Sequence, residues 1–243
     1  INTSEKIYVN SGGKLYAYGG SKPYNIEVSG YASLNSAETK GKLTVKSGGE
    51  AYTSGGSVSS VDVYGTLQIG GSTSFSRIDT HGWAGVHITG GSPSITTFHL
   101  NQYRDTQAPS NLWIYHGVTA NITSLYLQAS AKLRMGYNSK LKIGSKMVMY
   151  HELKNGWRTQ ICFYGCPKGT NSGTIVFPDG SSSGKCTNNK REGEDYGTTY
   201  TSSFGVNNSS DNGCYDCGWD KGPGYGPWSY NTNRYWYDND DCA

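Results

Sequence analysis

Short stretches in which apolar and polar residues alternate recur along the first two thirds of the chain. Each stretch carries two apolar side chains around one more polar side chain and is followed within two residues by Gly, Ser or Asn, as in residues 7–9, 15–17, 26–28, 43–45, 61–63 and 67–69. A period of two predicts short strands with one face turned inward. Because no apolar stripe with a period of 3.6 residues is present, the pattern predicts an all-β fold.

A longer repeat contains these strands. Residues 9–21 read VNSGGKLYAYGGS and residues 45–57 read VKSGGEAYTSGGS, which agree at eight of thirteen positions at an offset of 36 residues. Self-similarity at such a fixed period is typical of stacked repeats, in which each unit buries its apolar edge against its neighbours. The chain is therefore predicted to be a solenoid.

The glycine pairs decide which kind of solenoid is expected. A glycine in a helix interior costs about 1 kcal/mol, so the recurring Gly-Gly pairs exclude helical repeats. In a coil of strands, glycine is suited to corners where a positive φ angle is needed. The sequence thus predicts a β-solenoid, also called a parallel β-helix, in which the 36-residue unit spans about two coils.

The pattern V-x-S-G-G-x-x-x-x-x-G-G with alternating strands between the glycines resembles the repeats of AIDA-type autotransporter passenger domains and related bacterial surface β-solenoids. The resemblance covers residues 7–92, approximately, and continues in weaker form to residue 153. It implies an extracellular bacterial surface protein that acts in adhesion, aggregation or biofilm formation. It supplies no catalytic residues.

The composition changes near residue 154, which predicts a solenoid domain over residues 1–153 and a small, irregular C-terminal module over residues 154–243. The module has few aliphatic residues and contains every cysteine of the chain, namely Cys162, Cys166, Cys186, Cys214, Cys217 and Cys242. An even number of cysteines in a segment with little core predicts a disulfide framework formed in an oxidising compartment. Zinc bound by Cys162, Cys166, Cys214 and Cys217 is the competing interpretation. Passengers of the resembled family generally contain few cysteines, so the export route stays open.

Catalytic chemistry finds little support in the sequence. The motifs of serine hydrolases, zinc proteases and nucleotide-binding enzymes do not occur. The carboxylates of residues 1–153 are not clustered in sequence, as polysaccharide-degrading β-helices would need for calcium or for acid–base work. We therefore predict a non-enzymatic protein without a metal or cofactor. The alternative from another class is a polysaccharide-binding or polysaccharide-degrading β-helix.

Charge and hydropathy restrict the partners. The formal net charge is only +3 and is spread along the chain, which argues against nucleic acid as a partner. The longest apolar runs contain only a few residues, so membrane insertion is not expected. Together with the cysteines, these features predict an extracellular or cell-surface location. Because the chain begins at Ile1 rather than at a methionine, we expect a processed form or an excised fragment.

Aromatic residues are the strongest candidates for contacts with partners. Outward tyrosines on stacked coils could contact surface glycans or another copy of the chain, or could only stabilise neighbouring coils as ladders. The candidates are Tyr16, Tyr18, Tyr52, Trp219, Trp228 and Trp236. Residues 99–110 interrupt the repeat and are predicted to loop out of the coil, either as a plain surface loop or as a binding insertion.

The position of the repeats also suggests self-assembly. They begin by residue 7, which leaves no room for an N-terminal cap over the open strand edges. Either the chain comes from a longer passenger, or another copy covers this edge, for instance through its aromatic C-terminal module. The second case predicts a homopolymer joined head to tail, since a heterologous contact that does not close continues as a filament.

Overall fold

The computed structural model describes residues 2–101, 110–127, 131–136, 138–149, 160–163, 173–178, 180, 182–183, 198–200 and 214–215. This part of the chain is an all-β parallel solenoid of about seven turns, and it contains no helix. The predicted fold class is thereby confirmed for the solenoid.

Two sheets form the solenoid, and each turn contributes one strand to each sheet. Sheet A contains β1 (Asn2–Val9), β3 (Lys22–Val28), β5 (Glu38–Val45), β7 (Ser57–Val63), β9 (Ser74–Thr80), β11 (Ser94–Leu100), β13 (Thr119–Leu127), β15 (Lys140–Met149), β17 (Thr174–Val176), β18 (Ser182–Ser183) and β19 (Thr198–Tyr200). Sheet B contains β2 (Lys14–Ala17), β4 (Tyr31–Asn35), β6 (Glu50–Ser54), β8 (Thr66–Ile69), β10 (Gly85–Ile88), β12 (Asn111–Ile114), β14 (Lys132–Met135), β16 (Gln160–Phe163) and β20 (Cys214–Tyr215).

The register confirms that the 36-residue repeat spans two coils. Val9, Val28, Val45 and Val63 are direct partners on β1, β3, β5 and β7, and successive members are 17 to 19 residues apart. Val9 and Val45, which match in the sequence repeat, therefore lie two coils apart.

The core lies between the two sheets and consists of apolar rows along the solenoid axis. One row of sheet A has no exposed surface from Ile26 onward and consists of Ile26, Leu43, Val61, Ile78, Phe98, Leu125 and Met147. Burying each such side chain contributes roughly 1.5–3 kcal/mol. The alternation seen in the sequence places these residues inward and their neighbours outward.

Two kinds of corner alternate between sheet A and sheet B, and this alternation explains why the sequence repeats every second coil. A four-residue turn joins β5 to β6, in which the amide of Gly49 donates to the carbonyl of Lys46 at 2.9 Å and Gly48 has a φ of 78°. The next coil has only Tyr64 and Gly65 between its strands. A Cβ atom on Gly65 would clash with the backbone oxygens of Gly49 and Lys46, so the short corner requires glycine.

The interruption of the repeat, which was predicted to begin at residue 99, begins later in the structure. His99 and Leu100 lie within β11, where they pair with β13, so the expectation that they loop out is wrong. Their alternation of half-buried and buried side chains continues the strand. Residues 102–109 lie outside the described residues.

The sheets continue past residue 153. β16 pairs with β14, β17 pairs with β15, and β20 pairs with β16. Cys162 lies on β16 and Cys214 on β20, whereas the other four cysteines fall outside the described residues. The described residues therefore give no support to a disulfide-rich module, and the boundary at residue 153 stays a prediction.

Candidate functional site

One outward row of sheet B contains two of the predicted contact residues, Tyr16 and Tyr52. The row carries one side chain per coil and consists of Tyr16, Ser33, Tyr52, Gln68, His87, Trp113 and Arg134. Each member lies between two inward residues of its strand and therefore faces away from the core. We call this set the sheet B row.

The exposed tyrosine of the sheet B row lies in the first coil. The side chain of Tyr16 is 49% exposed, and Tyr18 at the following corner is 60% exposed. The ring of Tyr31 on β4 lies 6.0 Å from the ring of Tyr16 at an angle of 56°. Ser33 separates Tyr16 from Tyr52, since the sequence repeat spans two coils. The predicted tyrosine contacts are thus on one face, but Tyr16 and Tyr52 do not stack as a ladder.

The later coils bury the same row. Trp113 is 4% exposed and Arg134 is 7% exposed, although both face outward from the sheet. The guanidinium of Arg134 lies 4.5 Å from the centre of the Trp113 ring, a cation–π contact. The ring of His87 lies 5.0 Å from that of Trp113, and its Nδ1 lies 3.2 Å from the hydroxyl of Tyr115. Burial, together with the charge of Arg134, lowers the pKa of His87 to about 4. His87 is therefore neutral at physiological pH.

Sheet A carries an outward group of charges that sequence reasoning missed. Asp62 and Asp79 are direct partners on β7 and β9, although they are 17 residues apart in sequence. Asp79 accepts a hydrogen bond from Arg77 Nε at 2.7 Å and lies 2.8 Å from His99 Nδ1, whereas Asp62 forms an ion pair with Lys42. From the sequence, the proximity of these side chains could have been predicted only by applying the coil period residue by residue.

The environment keeps Asp79 ionised. Burial raises the pKa of this carboxyl, but the hydrogen bonds with His99 and Arg77 outweigh burial and hold the pKa below its usual value. His81, whose ring stacks on that of Tyr64 at 4.3 Å, has a pKa lowered by burial. Asp79 is thus paired with Arg77 and His99, and Asp62 is paired with Lys42.

The described part of the chain contains no group of three or more His, Cys, Asp or Glu side chains that could hold a metal ion. The same residues include no helix that is long and apolar enough to cross a membrane. The other contact candidates, Trp219, Trp228 and Trp236, lie outside the described residues.

Comparisons with protein-family models, with curated proteins and with solved structures found no match to this chain. The resemblance to AIDA-type passenger repeats therefore has the support of the solenoid architecture, but no family assignment follows. Function has to be argued from the surface of the solenoid.

Proposed function

We propose that this chain is a non-enzymatic structural or adhesive protein of the extracellular bacterial surface, in which the solenoid is a rigid support and its exposed tyrosines contact a partner. The observation that carries the proposal is the exposure of Tyr16 and Tyr18 at one end of the sheet B row. Both residues were candidates on sequence grounds, and Tyr52 lies on the same row.

Exposed tyrosines suit such a contact for a physical reason. A tyrosine ring offers a flat apolar surface, and its hydroxyl can form a hydrogen bond with the same partner. Aromatic residues are enriched at protein interfaces. A sheet holds these rings at fixed spacing, since strands within it lie about 4.8 Å apart. The partner is therefore a surface glycan or a second copy of the chain.

The polysaccharide-degrading alternative finds less support. A glycoside hydrolase needs a carboxylic acid whose pKa is raised next to a second carboxylate. Asp79 instead has a lowered pKa and is paired with Arg77 and His99, and its neighbour Asp62 is paired with Lys42. A reducing-sugar assay on a panel of polysaccharides tests this alternative, and product formation would contradict the non-enzymatic proposal.

A matched set of variants tests the tyrosine contact. Tyr16→Ser, Tyr18→Ser and Tyr52→Ser together remove two exposed rings and the half-buried ring of Tyr52 on and beside sheet B. Tyr8→Ser removes an exposed ring from β1 of sheet A, on the other side of the core and outside any proposed contact. We expect the first variant, and not the second, to lose binding to bacterial cells and glycan arrays or to lose self-association. Equal behaviour of the two variants would contradict the proposal.

Self-assembly into a head-to-tail filament is a second candidate. Within the described residues β1 pairs only with β3 and β2 only with β4, so each of these strands has one side open to a further strand. A second copy or a preceding chain segment can supply that strand. Electron microscopy of the purified chain should show filaments that disappear when residues 214–243 are deleted. Filaments that persist in the truncated chain would contradict a capping role of these residues.

The C-terminal module belongs to the same proposal. A disulfide framework among the six cysteines would stabilise a segment with little core in an oxidising environment. Peptide mapping without reduction should recover disulfide-linked peptides from residues 162–242. Recovery of free thiols with bound zinc would instead favour the metal interpretation.

A further inference from the structure

A polar groove crosses the outer face of sheet A, away from the sheet B row. It has a volume of about 430 Å³ and runs across the first residues of β5, β7, β9 and β11. Its lining comprises Glu38, Thr39, Lys40, Ser57, Val58, Ser59, Ser74, Phe75, Ser76, Ser94 and Thr96. We call it the serine groove because hydroxyl side chains form most of its lining.

The hydroxyls of the serine groove repeat with the coils. Ser57, Ser74 and Ser94 are direct partners on β7, β9 and β11. A second line of hydroxyls lies two residues further along the same strands and consists of Ser59, Ser76 and Thr96. The hydroxyls of each line are separated by the spacing of neighbouring strands, about 4.8 Å. The groove thus presents two parallel lines of identical chemistry along the solenoid axis.

These hydroxyls are not used by the fold. None of the six hydroxyl groups in the two lines forms a hydrogen bond within the part of the chain that the structure describes. By contrast, the hydroxyls of Thr73 and Thr89, at corners, donate to backbone carbonyls of the preceding coil at 3.2 and 3.3 Å. Thr39 also lines the groove, and its Oγ1 is buried without a hydrogen-bond partner among the described residues. The groove therefore offers free donors and acceptors.

Charge limits the chemistry of the occupant. The charged residues of the lining are Glu38 and Lys40, which lie on the same strand at one end of the groove. Glu38 forms an ion pair with Lys22 at 3.1 Å. The remaining lining residues are neutral. A nucleic acid would need a row of Lys or Arg side chains for its phosphates. Hydroxyls that both donate and accept instead match a neutral ligand that carries hydroxyls itself.

An exposed aromatic ring stands at the charged end of the serine groove. Tyr24 on β3 is 47% exposed, and a Cβ atom on Gly41 of β5 would clash with its backbone. Tyr24 thus lies one coil before Lys40. A tyrosine ring in this place can stack on the apolar face of a sugar.

We propose that the serine groove binds a neutral, linear polysaccharide lying along the solenoid axis, with about one sugar per coil. A sugar in an extended chain advances by roughly 5 Å, close to the strand spacing of about 4.8 Å, so each coil meets an equivalent part of the ligand. This site is separate from Tyr16 and Tyr18, which belong to the opposite sheet, and the proposal does not depend on their role.

Two triple variants of the full chain test the groove. S59A/S76A/T96A removes one line of hydroxyls, and all three residues face outward, so the core is unchanged. S60A/T97A/S124A removes the same number of hydroxyls from the adjacent outward row of the same sheet. Far-UV circular dichroism and thermal unfolding should show that both variants fold like the unmodified chain.

The probes are neutral β-1,4-linked gluco-, manno-, xylo- and N-acetylglucosamine oligosaccharides of increasing length, with oligogalacturonate as the acidic comparison, measured by titration calorimetry. We expect the affinity for one neutral series to rise until about four sugars, because the groove crosses four strands. The groove variant should lose about tenfold or more in affinity, and the control variant about twofold or less.

The proposal would be overturned by the absence of binding to every neutral series, by equal losses in the two triple variants, or by tighter binding of oligogalacturonate than of any neutral ligand. A loss confined to the variant at Tyr16, Tyr18 and Tyr52 would also overturn it, while supporting the tyrosine contact on sheet B. Ser76→Arg gives a second check, since its side chain would fill the middle of the groove and should abolish binding.

Discussion

Tyr16 and Trp113 occupy equivalent positions on the sheet B row, yet their surroundings differ. Both are aromatic, both lie between two inward residues, and both face outward. Tyr16 keeps about half of its side-chain surface in solvent, whereas Trp113 is buried beside Arg134 and His87. The row therefore has an exposed end and a buried end.

The direction in which a side chain leaves the sheet therefore does not decide its role. At the exposed end an aromatic ring is available to a partner, and its loss should hardly affect folding. At the buried end a ring of similar size packs against a charged side chain, and its loss should destabilise the later coils. Substitutions at four places along the row test this difference between its two ends.

Replacement of Trp113 by Ala should have the largest effect. Truncation of a buried tryptophan typically costs about 3–5 kcal/mol, and this cost includes the loss of the cation–π contact with Arg134. Because coils of a solenoid contact only their neighbours, the loss should be local to β10, β12 and β14. Hydrogen exchange should show faster exchange there than in β2, β4 and β6. Trp113→Phe, which keeps a ring, should lose less, and unchanged exchange in Trp113→Ala would break the comparison.

The buried end should also lose stability in acid because of His87. Its pKa is about 4 in the folded chain and 6.5 as a free group, so the unfolded chain binds more protons between these values. The stability that neutral His87 contributes is fully present above pH 6.5, and about 3 kcal/mol of it is lost as the pH drops to 4. The free energy of unfolding, measured by urea denaturation across this range, should change less steeply with pH in His87→Gln than in the unmodified chain. In that variant the free energy of unfolding should still fall in acid, because the pKa of His81 is also lowered.

The middle of the row should respond more weakly. The side chain of Tyr52 covers Gly70, and a Cβ atom at Gly70 would force the ring to move. Holding a side chain away from its preferred rotamer costs about 0.5–1.5 kcal/mol, so Gly70→Ala should lose about 1 kcal/mol in chemical unfolding. In a Tyr52→Ala background the same substitution should cost less, since the ring is gone. An equal cost in both backgrounds would show that the backbone, and not Tyr52, is responsible.

Replacement of Tyr16 by Ser should have the smallest effect on folding. Substitutions of exposed residues outside special contacts usually change stability by about 0.5 kcal/mol or less. Thermal unfolding should therefore be nearly unchanged, even where binding to cells or glycans is lost. A large drop in melting temperature would place Tyr16 in the same structural class as Trp113.

Strands with two or more aliphatic residues were predictable from sequence, whereas strands rich in hydroxyl residues were not. Residues 61–63 alternate clearly and lie in β7. β9, with the sequence SFSRIDT, lacks such a clear signal, because Ser, Arg and Asp occupy most of its positions and Asp79 and Thr80 are buried. Pairing with β7 and β11 determines that it is a strand. Local propensity alone does not favour it.

The candidate sites were predictable only in part. Tyr16 and Tyr52 were found because they match in the repeat, and Tyr18 because it lies beside Tyr16 in the first repeat. The structure places Tyr16 and Tyr52 on one row. The serine groove and the pairing of Asp62 with Asp79 were not found. Their members lie about one coil apart in sequence, and each residue alone is an ordinary polar surface residue.

The pattern of residues was enough to predict the solenoid, because alternation and glycine corners are local properties that repeat along the coils. Two neighbouring residues suffice to define inward and outward, and a single glycine such as Gly48 suffices to define a turn. Only the tertiary structure decided which outward residues become surface and which become core. Exposure of Tyr16, burial of Trp113 and the alignment of the groove hydroxyls depend on the stacking of coils, and stacking joins residues that are distant in the chain.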